Sequence, residues 1–95
     1  MTTNPSRITG LDLAVSDEVK SRIAVARGVT VRSLAEALDV RRATLSARVN
    51  GQAPFAPSLL AEVAAHLGTT ATDIVNAAER RLAQAMGQRD ERSAS

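Results

Sequence analysis

Apolar side chains recur along most of this chain every three or four residues, which is the spacing of one face of an α-helix. The first stripe has its members four residues apart and consists of Leu11, Val15, Val19 and Ile23. Gly28 follows the stripe and suits the left-handed residue that commonly ends a helix. We therefore predict a first helix over residues 11–27. A later start at Ser16 is the alternative, because two acidic residues follow it.

Four more helices are predicted from the same pattern. Their predicted ranges are 31–38, 42–50, 57–67 and 71–86. Thr30 is a candidate N-cap for the second helix, and Thr70 with Asp73 resembles a capping box at the start of the fifth. No segment alternates apolar and polar residues between hairpin turns, so the predicted fold class is all-α with five helices.

Polar segments flank the predicted helices at both ends. Residues 1–10 are polar and contain Pro5, which predicts a flexible N-terminal arm. Residues 87–95 are charged or small, which predicts a disordered C-terminal tail. We therefore expect one folded domain over residues 11–86 of this 95-residue chain.

The composition argues against several kinds of site. The chain has no cysteine, which rules out disulfides and thiolate metal sites, and its single histidine, His66, argues against zinc. We find no Gly-rich phosphate loop and no nucleophile–base set, so we expect no catalysis, no metal, no cofactor and no small-molecule ligand. Phe55 is the only aromatic residue, and we expect it to fill the core beneath the loop between the third and fourth helices.

Positive charge is concentrated in the middle of the chain. The formal net charge is only +2, but eleven of the twelve basic residues are arginine. Six of these arginines lie within residues 22–48 beside only Glu36 and Asp39, whereas residues 49–78 contain no lysine or arginine. This division predicts one cationic face of the kind that binds nucleic acid, with an ordinary solvated surface as the alternative.

Residues 31–50 have the spacing of a helix-turn-helix, in which two short helices are joined by a turn of three or four residues. We expect the two helices to cross closely at Ala35, Val40 to lie buried in the turn, and Leu45 to anchor the second helix from below. The side chains left projecting outward are then Arg42, Ala43, Ser46 and Ala47.

The run GVTVRSLAEALDVRRATLSARVNG, with the helical pattern that continues to Val75, resembles the Cro/C1-type (XRE-like) helix-turn-helix regulators of phages and bacteria, especially members of actinobacterial type. This resemblance covers roughly residues 28–75. It implies a compact five-helix bundle of the lambda-repressor-like type that binds a double-stranded DNA operator. It also implies that the third helix is the recognition helix and enters the major groove.

The resemblance implies a set of DNA-contacting residues. The major-groove contacts would be Arg41, Arg42, Ala43, Thr44, Ser46 and Ala47, and the backbone contacts would be Thr30, Arg32, Arg48 and Asn50. One departure is Val31, which stands where the family often has a glutamine that touches phosphate. From its chemistry alone, Arg42 is the best candidate for base reading, because a guanidinium can donate two parallel hydrogen bonds to guanine.

The expected role is that of a transcriptional regulator in the bacterial cytoplasm, associated with the nucleoid. We expect a phage or prophage repressor or Cro-like protein that occludes a promoter, since the short chain leaves no room for an effector domain. The alternative is an antitoxin-type interaction module that neutralises a partner and regulates its own gene, although the tail is short and polar for wrapping a toxin. No apolar run approaches the ~18 residues of a membrane span.

The last apolar stripe, at Leu82 and Met86, has two possible uses. It can pack against the extended start of the first helix within one chain, or it can form a two-fold dimer seam. We expect a homodimer on DNA, because readers of this type usually bind paired half-sites one helical turn apart.

Overall fold

The computed structural model describes the backbone of residues 9–94 and the side chains of residues 9–86. It contains α1 (Gly10–Val25), α2 (Val31–Leu38), α3 (Arg42–Val49), α4 (Pro57–His66) and α5 (Ala71–Ala94). No strand occurs within this part of the chain. The predicted all-α fold class with five helices is confirmed. Most of the predicted N-terminal arm, residues 1–8, lies outside the described residues.

The start of α1 is determined by a capping box. The Thr9 hydroxyl oxygen accepts a hydrogen bond from the backbone N–H of Asp12 at 3.1 Å, and the Asp12 carboxylate accepts one from the Thr9 N–H at the same distance. These two bonds satisfy backbone donors that the first turn of a helix otherwise leaves unpaired. The alternative start at Ser16 is therefore wrong, and Ser16 lies buried in the middle of the helix.

The start of α5 has only half of the predicted capping box. The Thr70 hydroxyl oxygen accepts from the backbone N–H of Asp73 at 3.0 Å, as the pattern predicted. The Asp73 carboxylate instead accepts from the hydroxyl of Thr69 at 3.3 Å.

The end of α5 differs from the sequence prediction. The backbone remains helical from Gly87 to Ala94, where a disordered tail was expected. The apolar stripe stops at Met86, but the residues that follow are mainly Gln, Arg, Glu and Ala, which favour helices. A single glycine costs a helix only about 1 kcal/mol, so it does not end α5. Helix propensity therefore continues the helix beyond the last apolar residue.

Residues from all five helices form a single core. Its fully buried larger side chains are Val19, Leu34, Leu45, Val63 and Ile74. α1 packs most extensively on α5, and α3 packs on both α1 and α2. Phe55 is half-buried and packs against this core from the loop before α4, as predicted.

The turn between α2 and α3 has the interior that the helix-turn-helix spacing predicted. Ala35 and Leu45 are buried, and Val40 packs partly buried against the core. The Val40 N–H donates to the Ala35 carbonyl at 3.0 Å, which closes the end of α2. Asp39 ends α2 in the left-handed conformation with φ 57°. This backbone region strains residues that carry a Cβ atom, and Asp tolerates it better than most.

We predict that Asp39→Gly raises the free energy of unfolding by about 0.5–1 kcal/mol. Glycine removes the left-handed strain, and the change also removes a carboxylate from the negative end of the α2 dipole. Urea denaturation measures the difference. Asp39→Ala is the matched control, because it removes the same charge but keeps the Cβ atom. An alanine variant as stable as the glycine variant would contradict the strain argument.

Candidate nucleic-acid interface

The six residues predicted for the major groove all lie on α3 or at its N-cap. The exposed ones are Arg41, Arg42 and Ala43, and the half-buried ones are Thr44, Ser46 and Ala47. We call these six residues the α3 face. Leu45 and Val49 are buried on the opposite side. Since successive residues turn by about 100° around a helix, this burial directs Ala43 and Ala47 toward solvent.

The start of α3 is the most cationic part of the α3 face. Among the described side chains, no carboxylate lies within ion-pair distance of Arg41 or Arg42. Arg41 is the N-cap residue and makes no side-chain hydrogen bond to the first turn. The first backbone N–H groups of α3 therefore have no side-chain cap, and two exposed arginines stand at the same end of the helix. This combination of amide donors and positive charge suits a phosphate or another anion.

The four residues predicted for backbone contacts lie at the start of α2 and at the end of α3. Thr30, Arg32 and Asn50 are exposed, and Arg48 is half-buried. Arg48 Nη1 donates to the Thr44 carbonyl at 3.1 Å, so this side chain lies along α3 with other N–H donors still available. Arg32 Nε lies 3.7 Å from a Glu36 carboxylate oxygen, in a pair that is largely exposed and therefore weak.

Comparison with known proteins identifies the family. The helix-turn-helix family model matches residues 20–74, which is more than half of the chain and contains all of α2, α3 and α4. This chain belongs to the helix-turn-helix family. The match confirms the resemblance to the Cro/C1 (XRE) type that the sequence predicted. From this family membership, the protein is a DNA-binding transcriptional regulator.

A solved structure agrees with this assignment. The chain is similar to the clp gene regulator ClgR from Corynebacterium glutamicum, with 31% identity and a TM-score of 0.77. The match covers 95% of this chain and 93% of that one. A comparison with curated proteins found no match.

The contact between α1 and α5 contains an ion-pair cluster that sequence analysis missed. The Glu18 carboxylate accepts from Arg22 Nε at 2.7 Å and from Arg81 Nε at 2.8 Å, and its side chain is only 12% exposed. Arg81 also donates to the Ser21 hydroxyl at 3.2 Å, so the cluster links α5 to α1. Only the Glu18–Arg22 spacing of four residues was visible in the sequence. Arg22 and Arg81 therefore stabilise the packing of α1 on α5.

The Glu18 carboxylate is ionised more readily than an ordinary glutamate. Burial by itself raises the pKa of Glu18. The hydrogen bonds from Arg81 and Arg22, with the charges of both groups, outweigh burial and hold the pKa of Glu18 below its usual value. The α1–α5 contact is therefore strongest when Glu18 is charged.

The candidate dimer seam consists of two residues in different environments. Leu82 is half-buried and lies against α1, because a Cβ atom placed on Gly10 would be 3.4 Å from Leu82 Cδ1. This contact favours the hypothesis that the two helix extensions pack within one chain. Met86 is 56% exposed and makes the only large apolar surface that α5 leaves open among its described side chains.

Two other kinds of site find no support in the described part of the chain. No group of three His, Asp or Glu residues there is arranged to hold a metal ion. None of the helices in this part is long and apolar enough to cross a membrane.

We predict that Glu18→Gln lowers the free energy of unfolding at pH 7 by an amount on the order of 1 kcal/mol. Because the pKa of Glu18 is lower in the folded state, its stabilising effect is complete above the unfolded value of ~4.3. That effect is lost as pH falls through the folded pKa. Urea denaturation at pH 7 and at pH 3 should show a gap between variant and parent that shrinks at pH 3.

Glu62→Gln is the matched control, since Glu62 is exposed on α4 and contacts no described arginine. It should change stability little at either pH. A Glu18→Gln gap of the same size at both pH values would exclude the ion-pair cluster as its cause.

Proposed function

We propose that this regulator recognises a specific operator by inserting α3 into the major groove of double-stranded DNA. The observation that carries the proposal is the α3 face, a side of small residues that begins with two arginines with which no described carboxylate pairs. Ala43 and Ala47 present only methyl groups, so they let the helix lie close to the base edges. A methyl group also suits apolar contact with thymine.

Base discrimination rests mainly on Arg42 in this proposal. Its side chain is exposed at the first turn of α3 and has no described carboxylate to compete with DNA. A guanidinium that donates two parallel hydrogen bonds to guanine O6 and N7 is the commonest specific contact between proteins and DNA. Arg41 and Thr44 flank this position and would reach a base edge or a phosphate.

Phosphate contacts would hold the helix in register on both sides of the α3 face. On one side, Thr30 and Arg32 lie at the start of α2, where Arg32 would exchange its weak pair with Glu36 for a phosphate. On the other side lie Arg48 and Asn50. The Asn50 side-chain amide donates to the Ser46 hydroxyl at 3.2 Å, which leaves its second N–H for a phosphate.

We predict that Arg42→Ala costs ~1–3 kcal/mol of binding to the preferred site and relaxes base choice at one position. Asn50→Ala should weaken binding to all sequences about equally, because phosphates carry no sequence information. Selection of sites from random DNA, followed by affinity measurements at fixed salt, separates the two effects. Arg80→Ala, on the exposed side of α5, is the matched arginine control. An unchanged site preference in Arg42→Ala would refute this docking of α3.

For the biological role, we propose a repressor or Cro-like regulator that occludes a promoter, of the phage or prophage type. A second candidate is regulation of chromosomal genes, which is supported by the 31% identity to a clp gene regulator along nearly the whole chain. Mapping the bound sites distinguishes the two. Binding to the DNA upstream of its own gene within a prophage favours the first role, and binding to promoters elsewhere in the chromosome favours the second.

We also propose that the protein binds its operator as a homodimer in which Met86 contributes to the seam. Leu82 supports this surface from within its own chain, and Met86 remains exposed beside it. A two-fold dimer would place two copies of α3 on successive half-sites of a palindrome.

We predict that Met86→Glu abolishes the dimer, since two like charges would meet near a two-fold axis. Sedimentation equilibrium should then give the mass of one chain. Val25→Glu is the matched control, because Val25 is 82% exposed at the far end of α1 and should leave the mass of a dimer unchanged. A dimer mass for Met86→Glu would remove this residue from the interface.

A further inference from the structure

The C-terminal end of α3 is held by α1 at two points. The Ser16 hydroxyl donates to the backbone carbonyl of Arg48 at 2.7 Å. Beside it, Leu13 packs so closely on Gly51 that a Cβ atom there would lie 3.1 Å from Leu13 Cδ2. Ser16 is 1% exposed and is the only buried polar side chain in the described part of the chain.

The acceptor of the Ser16 hydrogen bond is a backbone carbonyl and not a side chain. The Arg48 carbonyl lies in the last turn of α3, where carbonyl groups lack a helical N–H partner. It accepts from the Gly51 N–H at 3.2 Å and from the Ser16 hydroxyl at 2.7 Å. Because the acceptor is a backbone atom, the bond fixes the position of the helix itself.

The element that provides this bond is itself firmly placed. Two residues beyond Ser16, Glu18 joins α1 to α5 through Arg81. α1 also makes its most extensive contacts with α5. The Ser16 hydroxyl therefore connects the packed α1–α5 pair to α3 through one short hydrogen bond.

We propose that Ser16 is a positioning residue for sequence recognition. Its hydroxyl sets the tilt of α3, so that the α3 face meets the base edges in the geometry that discriminates between them. This inference rests on the proposed function of α3. Base contacts need placement within about 0.5 Å, whereas phosphate contacts are electrostatic and tolerate larger displacements. Loss of the hydroxyl should therefore reduce discrimination and spare general DNA affinity.

The test compares Ser16→Ala with the parent protein on two duplexes of equal length, the selected site and a scrambled sequence. We expect affinity for the selected site to fall by about tenfold, the size of one lost base-pair contact. Affinity for the scrambled duplex should change less than about twofold, and the slope of affinity against salt should be unchanged. All measurements are made at a temperature where circular dichroism shows both proteins to be folded.

Ile74→Val is the control for a general loss of stability. Ile74 is fully buried on α5, and removing one of its methyl groups lowers stability by an amount similar to the loss of a buried hydrogen bond. This variant should keep the ratio of specific to scrambled affinity. If Ser16→Ala does not fold, Ser16→Cys makes the same comparison, because it keeps a similar shape with a much weaker donor.

The outcomes separate this inference from the function on which it rests. A parent protein with no preference for any sequence would refute the proposed function of α3. A selective parent whose Ser16→Ala variant keeps the same ratio, or loses equal affinity on both duplexes, would refute only the positioning role of Ser16.

Discussion

The candidate nucleic-acid interface depends on the burial of one side of α3, a helix that is too short to be stable on its own. α3 has eight residues, and an isolated helix in water needs ~12–15 to be even marginally stable. Its conformation and direction are therefore set by the packing of Leu45 and Val49 against α1 and α2. Because the helical repeat is fixed, burying that side also determines that Ala43 and Ala47 point toward solvent.

For the same reason, α1 affects the candidate interface although none of the predicted contact residues lies on α1. It supplies packing beneath α3 and the hydroxyl that bonds to the end of that helix. Its ion pairs with α5 then fix its own place. The family assignment begins at Lys20 and so contains little of α1. The matched helix-turn-helix and most of the helix that packs beneath it are therefore different parts of the chain.

The arginines have different roles, because some pair with a carboxylate and others do not pair with any described carboxylate. Arg22 and Arg81 surround Glu18, since a carboxylate that is mostly buried is stable only with hydrogen-bonding partners. Arg41 and Arg42 have no described carboxylate nearby. Arg22 and Arg81 are therefore used within the scaffold, whereas Arg41 and Arg42 leave positive charge exposed at the start of α3.

Local signals in the chain were enough to predict the number of helices, most of their boundaries, the helix-turn-helix and its family. Periodicity, caps and glycines act over a few residues, so they can be read directly from the chain. The same short range explains why Ser16 offered a false alternative start for α1. It also explains why the apolar stripe predicted an end of α5 at Met86, whereas the helix continues to Ala94. The hydrogen bonds from Ser16 to Arg48 and from Arg81 to Glu18, and the packing of Leu82 against α1, are visible only in the folded chain. Those contacts join residues that are more than thirty positions apart in the sequence. No local pattern specifies how separate helices pack against one another.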